Sequence, residues 1–113
     1  MMTIMEDVSF YLGVPTNEIA FDIELEMCIA GAIDDIRAVG VEIAEFDDKS
    51  DWTIFPEASQ FSVSLLNQIK QYIYLTTKIL FDPPLPSIIL ALERRQQQLL
   101  FYIQAFYDKR GEE

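Results

Sequence analysis

A chain of 113 residues, half of them apolar, is long enough for one modest core and too apolar for intrinsic disorder. It has no histidine and one cysteine, Cys28, which excludes Ser-His and Cys-His nucleophile pairs, imidazole bases, an internal disulfide and most zinc sites. The net charge of −11 is lopsided, with fourteen acids and two bases in residues 1–57 (net −12) and five acids and six bases in residues 58–113 (net +1), which argues against binding nucleic acid through its phosphates.

In chain order, the opening MMTIMEDVSF lacks the basic region of a signal peptide. Ile4, Val8 and Tyr11/Leu12 recur at helical spacing and predict a short first helix, with Thr3 as its N-cap and Gly13 as its stop. Asp22 opens a second helix whose apolar stripe is Ile23, Leu25, Ile29, Ala32/Ile33, Ile36 and Val39, ending at Gly40. Asp22, Glu24 and Glu26 crowd its start, where the helix dipole favours negative charge. Cys28 lies on this tract and reads as a small core hydrophobe.

Residues 41–62 change character. VEIAEF alternates with a period near two, WTIF is β-prone, and DDKSD between them is a polar turn, so the segment is a short hairpin or a long loop, closed by Pro56. From Val63 to Phe81 the helical period returns, with Ser62, Leu66, Ile69, Ile73, Thr76 and Leu80 on one stripe and Leu65, Tyr72 and Ile79 widening it. Pro83, Pro84 and Pro86 then end the helix near Phe81. Asp82 or Ser87 can cap the next helix, and Pro83 fits a first-turn position. Together Phe81, Asp82, Pro83, Pro84 and Pro86 form a rigid corner, with Phe81 pinned to the core. A last helix carries Ile88/Ile89, Leu92, Gln96, Leu99, Ile103 and Phe106 to about Tyr107, and the tail 108–113 is expected to fray.

These elements predict a single all-α domain over 1–113: a small bundle of about four helices, the last two long and joined by the proline corner, with a long central loop or short hairpin. Lys70, Lys78, Glu93, Arg94 and Gln104 interrupt the apolar runs before any reaches the roughly 18–20 residues of a membrane span. The expectation is a soluble, intracellular protein with no membrane contact.

Motifs for chemistry are missing. There is no glycine-rich phosphate loop. Asp22-x-Glu24-x-Glu26 lacks the turn glycine and distal Glu of a calcium loop, and the pairs Asp34-Asp35 and Asp47-Asp48 are splayed by helix or turn. No catalytic, cofactor-binding or metal-binding residue is assigned, and an enzyme is not expected. The informative feature is surplus apolar surface. Tyr72, Tyr74, Leu100, Phe101, Tyr102, Phe106 and Tyr107 make the last helices apolar nearly all round, which marks an oligomer or partner interface unless the middle loop folds over it. The acidic front suits a basic partner, a wall along which nucleic acid passes without adhering, or a solubilising face.

The stretch QYIYLTTKILFDPPLPSIILALERRQQQLLFYI resembles the C-terminal half of the tailed-phage head–tail connector (adaptor) family, found in phages and prophages. The matching residues are Leu80, Phe81, Asp82, Pro83 and Pro84 at the corner and Ala91, Leu92 and Glu93 after it. Asp22, Leu25, Ile29 and Ala32 are similar to the opening of that family's second helix. Pro86 and the strongly acidic front depart from the family pattern.

The resemblance implies a structural virion-assembly protein without a cofactor, made in the host cytoplasm and placed at the virion neck. There it would form a homo-oligomeric ring, typically twelve-fold, docked under the portal protein and contacting a downstream neck or tail protein. DNA would pass through the channel without specific binding, and Glu42, Glu45, Asp47, Asp48 and Asp51 would face that channel. The alternatives are a small acidic helical protein-binding module, such as a homodimeric regulator or inhibitor of a basic partner, and an enzyme that uses carboxylates alone.

Overall fold

The computed structural model describes residues 3–13, 19–55 and 63–111. Among the described residues four helices run in order: α1 (Ile4–Leu12), α2 (Ile19–Ala38), α3 (Val63–Phe81) and α4 (Pro86–Gly111), with a 3-10 turn at Trp52–Ile54. The bundle is all-α, with no strand among the described residues.

Local chemistry sets the ends of α1. The Thr3 hydroxyl accepts from the Glu6 N–H at 3.1 Å, and the Glu6 carboxylate accepts from the Thr3 N–H at 3.0 Å, a reciprocal capping box that satisfies two orphan donors. The Thr3 N–H first, and then the Thr3 side chain, hold the Glu6 carboxyl below the usual carboxylate range. Gly13 closes the helix at φ 73°, a left-handed conformation open to glycine at no steric cost. Helix α2 begins at Ile19, earlier than the expected opening at Asp22, which instead lies in the first turn and favours the dipole from there. Its buried face is Leu25, Ile29, Ala32, Ile33 and Ile36, whereas Ile23, expected on that stripe, is exposed. Cys28 is half-buried, and burial followed by the nearby Glu24 charge pushes its thiol up, which leaves less of the reactive thiolate.

Helix α3 is the centre of the molecule, packed on α2 to one side and α4 to the other, with α1 against it as well. Its buried residues are Leu65, Ile69, Tyr72, Ile73, Thr76 and Thr77. That stripe is rotated from the expected one, because two neighbours must be faced at once: Leu80 is exposed, and Ser62 lies outside the described residues. Against it α4 buries Leu99 and Ile103, and Gln96 Nε2 donates to Thr76 Oγ1 at 2.7 Å across the helix pair.

The central segment is a loop through residue 55, not a hairpin, and residues 56–62 with Pro56 lie outside the described residues. Side chains take the donors that a strand ladder needs. Asp47 Oδ1 accepts from the Lys49 N–H at 2.8 Å, and Asp51 Oδ1 accepts from the Thr53 N–H at 2.9 Å, capping the 3-10 turn. The loop then sends Val41, Trp52, Ile54 and Phe55 into the core. The Ile4 N–H donates to the Ser50 carbonyl at 2.9 Å, tying the loop to α1.

At the corner, α3 ends at Phe81 as the prolines require, but α4 starts at Pro86 rather than near Pro83. Pro86 takes the first helical position, where its missing N–H costs nothing. The Leu85 carbonyl accepts from the N–H groups of Ile88 and Ile89 at 2.9 and 3.0 Å. Asp82 does not cap α4; its carboxylate pairs with Lys78 Nζ at 2.8 Å and closes α3. The backbone of α4 is helical through Gly111. Phe81 packs on the core only partly buried, so Phe81→Ala is expected to cost about 1–2 kcal/mol, roughly half the loss for a fully buried aromatic. Urea denaturation measures this, and an unchanged midpoint would show that the corner does not depend on the ring.

Candidate assembly surfaces

The corner projects its apolar side chains outward. Leu80, Leu85 and Ile88 are all exposed around the exposed Pro83 and Pro86 and the half-buried Pro84. Further along α4, Leu90 and Phe101 lie on the side opposite Leu99 and Ile103, with Phe101 66% exposed. The exposed Tyr102 ring meets the Phe101 ring edge-on, at 6.1 Å between centroids.

The expected interface set therefore divides. Phe101 and Tyr102 face solvent, and Leu100 and Phe106 are half-buried against the core. The Tyr107 side chain lies outside the described residues. Tyr72 is corrected: it is only 3% exposed, and its hydroxyl donates to Asp35 Oδ2 at 2.8 Å. Burial first, and then that bond, push its phenol well above the ordinary range, so it stays a protonated donor. Tyr74 is half-buried, stacked on Tyr11 at 4.6 Å, and its hydroxyl donates to Asp7 Oδ2 at 2.8 Å. Both tyrosines join elements within the chain, a use that spacing along one helix cannot reveal.

The five acidic loop residues also divide. Glu42, Glu45 and Asp48 are exposed. Asp47 is exposed too, but it builds the turn at 47–50, accepting from the Lys49 N–H and the Ser50 hydroxyl. Asp51 accepts from both the hydroxyl and the N–H of Thr53, in that order of effect, which holds its carboxyl below the usual range. A half-open hollow of about 450 Å³ between α1 and the start of α2 is lined by Glu6, Asp22, Glu26 and Asp48, with Met5 and Ile23 among them. Among the described residues no group of three or more Cys, Asp or Glu is placed to hold a metal, and no helix is long and apolar enough to cross a membrane.

The front of the molecule carries apolar surface that the sequence reading missed. Ile23 and Met27, one turn apart on α2, are 57% and 72% exposed. Gly31, one turn further along the same side in a helix interior, is the signal that could have marked this face.

No curated protein and no solved structure matches the chain. A family model described as "Phage connector protein" matches residues 4–110, from the first residue of α1 to the last turn of α4. A match over nearly the whole chain shows that the chain belongs to the phage connector protein family.

Proposed function

We propose that this connector is a ring-forming head–tail subunit that docks under the portal, extends the DNA channel and offers a platform to the next neck or tail protein. Membership of the connector family supports a structural role at the virion neck. The observation that carries the finer reading is the placement of exposed apolar side chains at two separate sites: Leu80, Leu85, Ile88, Leu90 and Phe101 at the corner and on α4, and Ile23 and Met27 on α2. A closed ring of identical subunits is built from head-to-tail contacts, which need two different adhesive faces on each copy. One buried Leu or Phe contributes about 1.5–3 kcal/mol at such a contact. Glu42, Glu45 and Asp48 are proposed to face the channel, where like charge keeps DNA from adhering. Twelve-fold symmetry is the proposed state in the virion, with the portal as template.

Co-expression with its cognate portal protein, followed by native mass spectrometry and negative-stain imaging, tests the reading. Rings seated on the portal are expected. Monomers alone, with and without portal, would overturn it.

A further inference from the structure

Gly31 lies in the interior of α2, the least favourable place for a glycine in a helix. Its φ is not positive, and a methyl group added there would meet nothing within 4 Å. Neither a turn nor packing among the described residues accounts for it. Gly31 shares the outer side of α2 with Ile23, Met27, Ala30 and Asp34, opposite the buried Leu25, Ile29 and Ile36. That face is apolar at Ile23 and Met27 and narrow at Gly31, with the carboxylates of Glu24 and Glu26 on its flanks and Asp34, paired with Arg37 at 3.1 Å, at its end. It has the form of a surface that another helix approaches closely.

The outer side of α4 is its complement. Leu90, Arg94, Phe101 and Ala105 fall on one line, opposite Leu99 and Ile103. Arg94 is exposed and makes no ion pair among the described residues, whereas Arg95 beside it donates to Gln71 at 3.2 Å. The stripe from Leu90 to Phe101 and the stripe from Ile23 to Asp34 each cover eleven residue steps, about 16 Å at the helical rise. One therefore offers two large apolar groups around a lone cation, and the other offers two large apolar groups followed by a glycine, flanked by carboxylates.

We infer that the outer face of α2 receives the outer face of α4 from a second copy of this chain, with Gly31 at the closest approach and Arg94 drawn to the Glu24 and Glu26 carboxylates. The occupant is a second copy because the cation and the carboxylates lie on different faces of one chain, the charge complementarity that a head-to-tail contact uses. The inference rests on the connector reading and names the surfaces that meet.

Four variants of the full chain, assembled alone and with portal, test it. Gly31→Trp and Arg94→Glu are each expected to raise the concentration needed for assembly about tenfold or more, with helical circular dichroism and melting unchanged. Gly31→Ala is expected to raise the melting temperature, since alanine is the better helix former. Arg94→Glu combined with Glu24→Arg and Glu26→Arg is expected to restore assembly. If Gly31→Trp fails to fold, the Arg94→Glu pair decides alone. Rings formed by Arg94→Glu at wild-type concentration overturn the face pairing and leave the connector reading intact. Loss of assembly that the reversed α2 charges do not restore also overturns it, because Arg94 then meets another protein. Wild-type chain that never assembles overturns both.

Discussion

Trp52→Ala is expected to lower stability by about 3–5 kcal/mol, the loss typical of a large buried aromatic. The residue is only 8% exposed although it lies between helices, and with Val41, Ile54 and Phe55 it holds the central segment to them. Its indole N–H donates to Asp7 Oδ2 at 2.9 Å, the same oxygen that accepts from Tyr74, which joins α1, the loop and α3 at one carboxylate. The ring meets Tyr74 edge-on at 6.2 Å and Phe55 at 6.0 Å, and Lys70 Nζ stands 5.0 Å over its face. Truncation removes the apolar burial and the cation–π contact together and leaves the Asp7 bond half made. In a domain of this size the melting temperature is expected to fall by roughly 15 °C. Trp52→Phe separates the contributions, because it keeps most of the ring and deletes the donor. Its expected cost is about 1–2 kcal/mol, that of one hydrogen bond to a charged group plus a small volume change. A melt for Trp52→Ala equal to wild type would show that the loop is not anchored through this side chain.

Much of the fold was legible because its signals are local. The Thr3 cap, the left-handed Gly13 and the end of α3 at Phe81 each follow from chemistry within four residues. Where two local signals compete, the boundary slips: three prolines stand at the corner, and Pro86 rather than Pro83 begins α4 because only beyond Pro86 does an uninterrupted set of N–H donors follow. The loop was ambiguous because VEIAEF has strand-like alternation, while Asp47 and Asp51 spend backbone donors on turns that propensity alone does not weigh. The surfaces were least legible. A helix apolar all round has no period that separates Leu99 from Phe101, and only the position of α3 decides which is buried. Tyr72 and Tyr74 find acceptors 37 and 67 residues away, at Asp35 and Asp7, and nothing in their own helix announces those partners.

Ile73→Ala is expected to cost about 4 kcal/mol, towards the upper end for a buried aliphatic truncation. The reason is its place rather than its size. Ile73 is fully buried on the helix that packs against both α2 and α4, with Ile69, Tyr72, Thr76 and Thr77 buried around it. A cavity there is walled by three helices, none of which can move inward without losing its other contacts, so the site relaxes little and the void persists. Ile73→Val keeps most of the volume and is expected to cost about 1 kcal/mol. Leu80→Ala, on the same helix at a position 59% exposed, is expected to change stability by less than about 0.5 kcal/mol. Urea denaturation with equal slopes for the three variants measures the differences, and an Ile73→Ala midpoint close to that of Leu80→Ala would mean that α3 is not the packed centre. The contrast also bears on assembly. The faces proposed to meet between copies lie on α2 and α4, which pack chiefly on α3 rather than on each other. A loosened α3 therefore changes the angle between those faces, and Ile73→Ala is expected to weaken ring formation even at temperatures where most of the chain is folded.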